Sequence, residues 1–170
     1  MFNLDINYMG KKAVELGFIR DTLEKVIRLS DILEYLNTNP LLKDSLALKG
    51  GTAINLTIFN LPRLSVDIDL DYLKLDSREE MLKNRDIINS TIDKYMDSQN
   101  YLKSPKTKTP HSLDSWVYEY KNAAGNKDNI KIEINYSLRS HIFLPEERSI
   151  VTEHFSSKYR VKSLAPIEIF

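Results

Sequence analysis

Ser65-Val-Asp-Ile-Asp-Leu-Asp-Tyr-Leu73 is the stretch of this sequence that decides the fold, because polar and apolar side chains alternate along it. Successive side chains of a β-strand point to opposite faces, so this pattern predicts a strand with one buried face. Asp67 and Asp69 then lie on the same face, roughly 6–7 Å apart along the strand. The polar face is formed by Ser65, Asp67, Asp69 and Asp71, and the apolar face by Val66, Ile68 and Leu70.

A glycine pair precedes this strand by one short element. Ser45 to Lys49 predicts a strand that runs straight into Gly50-Gly51, and a helix is expected from Thr52 to about Asn60. Glycines allow a backbone to approach a ligand closely, and the first N–H groups of a helix favour an anion. The turn is therefore a candidate phosphate cradle, although a tight turn without a ligand would have the same composition.

Two carboxylates on one strand face repel each other unless a cation joins them. Mg²⁺ prefers such hard oxygen ligands and takes one or two protein carboxylates together with substrate phosphates. Asp67 and Asp69 alone are also compatible with an acidic, solvated strand face. The nearby Gly50-Gly51 turn favours the metal interpretation, because phosphate cradle and metal ligands would lie at neighbouring strand ends.

The remaining pattern predicts an α+β domain in which helices cover the apolar face of one mixed sheet and the other face is free for chemistry. A helix with one apolar stripe is expected at 21–36, and another at 77–98. The basic, proline-containing segment 103–110 is expected to be an exposed loop. Further expected elements are a hairpin of 116–120 with 130–136, a strand at 159–164 and a helix starting at Pro166.

Length and composition exclude several classes of protein. With 170 residues, a single domain covering 1–170 is expected. Lys and Arg (24) balance Asp and Glu (24), so bulk charge does not indicate a nucleic-acid binder. The absence of cysteine excludes disulfides and thiolate chemistry. No leader or long apolar run is present, which predicts a cytoplasmic protein.

Two segments carry a resemblance to a known family. Leu48-Lys-Gly-Gly-Thr-Ala-Ile54 and Arg63-Leu-Ser-Val-Asp-Ile-Asp-Leu70 resemble the AbiEii family of the nucleotidyltransferase superfamily, which includes the MenT-like toxins. The resemblance implies a polymerase-β-like fold, a nucleoside triphosphate donor and one or two Mg²⁺ ions. It also implies a tRNA or protein acceptor and a toxin of a toxin–antitoxin or abortive-infection system with a cognate antitoxin. The family continues past the position of Phe170 into a helical half, so the chain is expected to be truncated.

The superfamily pattern includes a third acidic residue on a nearby strand, preceded in AbiEii-like proteins by a lysine. Lys131-x-Glu133 is the best match, on the polar face of an otherwise apolar strand. Glu133 would be a third metal ligand or a general base, and Lys131 would neutralise phosphate charge. The alternative is an ordinary ion pair on an exposed sheet face.

The expected site comprises catalytic and nucleotide-binding residues, and several nearby residues have an alternative role or none. Asp67, Asp69, Lys131 and Glu133 are the expected catalytic residues, with Asp67, Asp69 and Glu133 as metal ligands; Gly50, Gly51, Thr52, Arg63 and Ser65 are expected to bind the nucleotide. Arg63 could instead pair with an aspartate, and Ser65 could only orient the strand. Lys49 is expected to be a solvated strand end, and Asp71 to lie outside the metal shell. His111, His141 and His154 receive no role.

Two rival functions remain open at this stage. One is a nucleotide-binding or partner-binding module without turnover, which the expected truncation motivates. The other is a structural domain with an acidic sheet face. Metal-dependent binding of a triphosphate separates the first from the second, and incorporation of the nucleotide separates a transferase from a binder.

Overall fold

A computed structural model describes residues 5–57, 67–152 and 155–169, with side chains except those of Leu16 and residues 151–159. The helices are α1 (Ile6–Leu16), α2 (Arg20–Thr38), α3 (Pro40–Ser45), α4 (Gly50–Thr57), α5 (Arg78–Ser98) and α6 (Pro166–Ile169). The strands are β1 (Leu46–Lys49), β2 (Asp67–Tyr72), β3 (Leu102–Lys103), β4 (Leu113–Lys121), β5 (Lys127–Asn135), β6 (Glu146–Thr152) and β7 (Phe155–Ser163).

The strands form one mixed sheet in the order β3-β4-β5-β2-β1-β7-β6. β2 pairs with β5 and β1 pairs with β7 in parallel, and the other neighbouring pairs are antiparallel. The architecture confirms the predicted α+β class with a mixed sheet. β2 lies at the centre of the sheet, between the two strands that carry the other candidate site residues.

The core fills one face of the sheet, where long helices pack against aromatic and β-branched strand residues. α2 and α5 meet through the rings of Tyr35 and Tyr95, which stack with their centroids 3.7 Å apart. Burying this apolar surface is the main favourable contribution to folding. The helices and strands of the core contribute Leu29, Leu33, Ile88, Ile92, Ile68, Leu70, Trp116, Tyr118, Ile132 and Ile134, among others.

The predicted long helices and central strands are present, with shifted ends. α5 begins at Arg78 because Ser77 and Glu80 form a reciprocal capping box, a device that satisfies free N–H groups at a helix start. β4 extends beyond the predicted strand 116–120 at both ends, whereas β5 begins earlier than the predicted strand 130–136 and ends one residue earlier, at Asn135. Pro166 occupies the first position of α6, as predicted.

Two larger elements were not predicted from the sequence. α1 is amphipathic, and its Met9 and Ala13 pack against Leu23 and Ile27 of α2 in a small cluster separate from the main core. β6 begins with charged residues and pairs only with β7 at the edge of the sheet. Pairing with β7 therefore stabilises β6, whose local pattern is weak.

Candidate functional site

Asp67 and Asp69 lie on the face of β2 opposite the core. Ile68 and Leu70, which alternate with them, are buried in the core, whereas both aspartates are half-buried. The alternation of the sequence is therefore reproduced in the structure, and it places both carboxylates on one side of a central strand.

The glycine turn contacts this strand directly. β1 runs antiparallel to β2 with Lys49 opposite Asp69, so the chain turns at Gly50 immediately beside that aspartate. Gly50 has a φ of 67°, and a Cβ atom at this position would lie 2.5 Å from Asp69 Oδ2. Only glycine fits both the left-handed backbone and the close approach. On the other side of the turn, Thr52 Oγ1 donates a hydrogen bond to the backbone carbonyl of Asp67.

β5 supplies charged residues on the other side of β2. The parallel register places Lys131 opposite Asp67 and Glu133 opposite Asp69. Ile132 and Ile134 are fully buried, so Lys131 and Glu133 point to the carboxylate face. Lys131 Nζ lies 2.8 Å from Glu133 Oε1, and the two side chains are 37% and 25% exposed.

A further polar residue on β4 was missed by the sequence analysis. Ser115 lies opposite Glu133 in the β4–β5 register and forms a side-chain hydrogen bond with its carboxylate. Ser115, Glu133, Asp69 and Lys49 thus form one row across four neighbouring strands. The role of a single serine cannot be predicted from residue spacing, because the register of the sheet determines which side chain it contacts.

The electrostatics of the row reflect the crowding of carboxylates. Burial raises the pKa of Asp69, and the nearby charges of Glu133 and Asp67 raise it further, against the opposing effect of Lys131 and Lys49. Burial alone would also raise the pKa of Glu133, but hydrogen bonds from Lys131 and Ser115 lower it overall. The hydrogen bond to Glu133 in turn raises the pKa of Lys131. At Asp69, therefore, burial and the two neighbouring carboxylates outweigh the effect of the two lysines on the pKa.

The chemistry of the donor set suits a hard divalent cation, because Asp67, Asp69 and Glu133 offer only carboxylate oxygens. Within 5–57, 67–152 and 155–169, no group of three or more His, Asp and Glu side chains is already arranged to hold a metal ion. Lys131 occupies one oxygen of Glu133. A cation shared by all three carboxylates would therefore require Glu133 to exchange this partner.

The carboxylate face is not open along its whole length, and Lys49 is not a solvated strand end. The face is closed at Asp71, which is completely buried, and Lys49 is paired with this aspartate. Lys49 Nζ lies 2.6 Å from Asp71 Oδ1. The segment after β5 covers the aspartate, with His141 Nε2 4.0 Å from Asp71 Oδ2. This contact was not predictable from sequence patterns, because His141 comes from a loop far along the chain.

Three residues that were considered at the sequence level lie outside the described residues. They are Arg63, Ser65 and His154. The predicted end of the helix near Asn60 and the predicted start of the strand at Ser65 also fall there. His111 is described and exposed, and its backbone carbonyl accepts a hydrogen bond from Arg85.

The glycine turn thus contacts the strand that carries the two aspartates. The model of a known protein family matches the part of the chain that contains these elements. The profile described as "Nucleotidyl transferase AbiEii toxin, Type IV TA system" matches residues 31–170. The chain belongs to the AbiEii family. All the elements of the site, from β1 to β5, lie inside the matched range, which confirms the resemblance seen in the sequence.

One of two similar solved structures supports the fold. A crystal structure from H. pylori, described as a candidate nucleotidyltransferase, superposes on this AbiEii chain with a TM-score of 0.53 and 18% identity, covering 89% of the chain. The chain spans 57% of that H. pylori protein. The structure of JHP933 from Helicobacter pylori has a TM-score of 0.49 and 18% identity, covering 86% of this chain and 54% of its own.

No curated protein sequence matches the chain significantly. Among the helices of the described residues, none combines the length and the apolar character that crossing a membrane requires.

Proposed function

We propose that this AbiEii chain carries the catalytic site of a nucleotidyltransferase, which transfers a nucleotide from a nucleoside triphosphate to an acceptor hydroxyl group. The observation that carries the proposal is the contact between Gly50 and Asp69. The turn approaches the carboxylate so closely that no side chain fits between them, and Glu133 lies on the opposite side of Asp69 in register. The proposed phosphate cradle and the proposed metal-binding carboxylate would thus be adjacent.

The triphosphate would lie over Gly50 and Gly51, where the turn and the backbone N–H groups at the start of α4 favour an anion. Asp67, Asp69 and Glu133 would hold Mg²⁺, either one ion or two. Bound there, the metal would supply charge neutralisation for the phosphates and lower the pKa of a coordinated hydroxyl group. Thr52 would act mainly by holding the turn, since its hydroxyl is already bonded to the backbone of Asp67.

The acceptor oxygen would attack the α-phosphorus in line. A new bond forms between that oxygen and the phosphorus, the bond to the bridging oxygen of the β-phosphate breaks, and pyrophosphate leaves. As the alternative to binding the metal, Glu133 would accept the proton of the acceptor hydroxyl group, with its carboxylate oriented by the hydrogen bond to Ser115. Lys131, freed from Glu133, would neutralise charge that develops on the phosphates.

Arg63 and Ser65 remain proposed nucleotide contacts on the basis of the sequence. A guanidinium group can bind phosphate through two parallel hydrogen bonds, which is the reason for proposing Arg63 as a phosphate ligand. Ser65 is proposed to orient the start of β2. Replacing Arg63 by lysine tests the role, because lysine keeps the charge and loses the planar fork of donors.

Family membership supports a proposal for the acceptor and the biological setting. We propose RNA, in particular the acceptor end of a tRNA, or a protein as the acceptor. The chain would then belong to a cytoplasmic toxin that works with an antitoxin of the same type IV system.

The test is incorporation of label from each α-³²P nucleoside triphosphate, with Mg²⁺, into total RNA and into protein. It uses the full-length protein, its Asp67→Asn variant and, as a control, Asp128→Asn, whose carboxylate pairs with Lys25 away from the site. Label that depends on Asp67 and not on Asp128 supports the proposal. Binding of a triphosphate without incorporation would instead support a nucleotide-binding module without turnover.

A further inference from the structure

Asp71 carries a buried charge that the proposed reaction does not use. It lies on β2 two residues beyond Asp69 and is completely buried, so it cannot contact a substrate. The cation beside it is Lys49, whose Nζ lies 2.6 Å from Asp71 Oδ1 and whose side chain is 27% exposed. A carboxylate removed from water in this way requires a partner, because an unpaired buried charge is strongly unfavourable.

The Lys49–Asp71 pair crosses diagonally between two strands. In the β1–β2 register Lys49 lies opposite Asp69, whereas Asp71 lies opposite Ala47. The side chain of Lys49 therefore reaches back from the turn along the polar face of the sheet. Since Lys49 is the residue before Gly50, the ion pair fixes the last backbone position before the turn.

Two further groups enclose Asp71 from the side opposite the turn. The imidazole of His141 lies between Asp71 and Glu168, with Nε2 4.0 Å from Asp71 Oδ2 and Nδ1 3.7 Å from Glu168 Oε2. Glu168 Oε1 also accepts a hydrogen bond of 2.5 Å from the backbone of Ile142. Asp71 is thus enclosed by the loop after β5, and His141 is in turn backed by Glu168 of α6. No contact of His141 with Asp71 is a hydrogen bond, so Lys49 is the closest charged partner of this buried carboxylate among the described residues.

The turn lies close to Asp69 of β2. A methyl group at Gly50 would already lie 2.5 Å from Asp69 Oδ2, so small displacements of the turn change the space available to Asp69. Thr52 holds the far side of the turn through the backbone of Asp67. The Lys49–Asp71 pair is the corresponding constraint on the near side.

We propose that Asp71 is a positioning residue for the nucleotide site, acting through Lys49 to hold the Gly50 turn in place against Asp69. The inference rests on the proposed function, because it assigns the turn to the phosphates of the donor. It adds a residue that never touches the nucleotide and sets the geometry of the cradle. A displacement of a binding group by about 1 Å is enough to weaken a site substantially.

The experiment compares Asp71→Asn, Lys49→Met and the double variant of the full-length protein, with Asp128→Asn as control. Lys49→Met leaves the Asp71 charge buried without its ammonium partner, so it is expected to lower the melting temperature most. The double variant removes both charges at similar volume and is expected to recover much of that loss. Affinity for Mg²⁺ and a triphosphate, measured by calorimetry, is expected to stay weakened by on the order of tenfold in the double variant. Recovery of affinity together with stability would overturn the inference and make the pair purely structural.

A second measurement separates this inference from the proposed function. Amide hydrogen exchange at Gly51 and Thr52 reports the mobility of the turn without any nucleotide. The double variant is expected to exchange faster at these amides than the wild type, with unchanged exchange at the distant Gly125 turn. If the wild-type protein bound no triphosphate, the proposed function would fail while this result could still stand. Unchanged exchange at Gly51 and Thr52 would overturn the positioning role whatever the nucleotide result.

Discussion

Two clusters of charge lie on opposite faces of the same sheet, and their environments differ sharply. On the core side, Arg85 of α5 binds both oxygens of the buried Asp114, with Nε–Oδ2 and Nη2–Oδ1 distances of 2.9 and 2.6 Å. The same guanidinium donates to the backbone carbonyls of Pro110 and His111. On the other side, Asp67, Asp69 and Glu133 crowd together, and burial and mutual repulsion raise the pKa of Asp69.

The comparison distinguishes a charge pair that stabilises the fold from a group of like charges that a bound cation would stabilise. Asp114 is paired with Arg85, and each of its two oxygens accepts a hydrogen bond from that guanidinium group. This ion pair connects α5 to β4. The carboxylate face keeps like charges together at a cost to the unliganded protein, a cost that a bound cation would offset. The expected effects of mutation on the two clusters therefore have different signs.

Arg85→Met is expected to give the largest loss of stability. The change leaves Asp114 buried without its partner, which typically costs about 3–5 kcal/mol. Urea unfolding measures the loss, and Arg85→Lys serves as the comparison because it keeps the charge but not the two-pronged geometry. Triphosphate binding should be unchanged in the fraction of protein that remains folded. A loss below about 1 kcal/mol would mean that this pair does not fasten the fold.

Gly50→Ala is expected to be the next most damaging change, and Gly125→Ala is its matched control. Both glycines have positive φ, so both substitutions carry a backbone cost of about 1–2 kcal/mol. Nothing lies within 4 Å of a Cβ at Gly125, whereas at Gly50 it would meet Asp69. Overpacking of this kind adds about 1–3 kcal/mol.

Thermal unfolding of the two glycine variants measures the difference, and calorimetry measures their affinity for a triphosphate. Gly50→Ala should be the less stable of the two and should lose nucleotide binding, while Gly125→Ala should retain it. Equal losses of stability would show that the turn and Asp69 are not in close contact.

Asp69→Asn is expected to have a small effect of opposite sign on the metal-free protein. The pKa of Asp69 is raised above its usual value, so the folded state binds a proton more readily than the unfolded state. The charge of Asp69 therefore opposes folding above that raised pKa, and this cost disappears as the pH falls toward the ordinary range near 3.8. The variant should be level with the wild type or more stable by about 1 kcal/mol at most at neutral pH.

Melting curves between pH 4 and pH 8 check this sign. The advantage of Asp69→Asn over the wild type should shrink as the pH is lowered through the raised pKa. An advantage that grows on acidification would mean that the charged form of Asp69 stabilises the fold.

The central strands of this fold and the glycine turn were predictable because they are specified by patterns within short segments of the sequence. Alternation fixed the faces of β2 and β5, so the sides on which Asp67, Asp69 and Glu133 lie follow from a period of two residues. The glycine pair marked the turn for the same reason. Ser115 and Asp71 were beyond such reasoning, since Ser115 meets Glu133 through strand register and Asp71 is enclosed by His141 from a distant loop. Side-chain pairs across strands depend on register and loop paths that a single sequence does not reveal.

The most direct test of the account is a set of melting curves with and without Mg²⁺ plus triphosphate. The set comprises the wild type, Asp67→Asn, Asp69→Asn and the control Asp128→Asn. Ligand that binds only the folded state raises the melting temperature, and the effect should vanish in both site variants and persist in the control. Without ligand, the two site variants should melt at or slightly above the wild-type temperature. A lowered melting temperature without ligand, together with intact stabilisation by Mg²⁺ and triphosphate, would contradict the assignment of Asp67 and Asp69 as metal ligands.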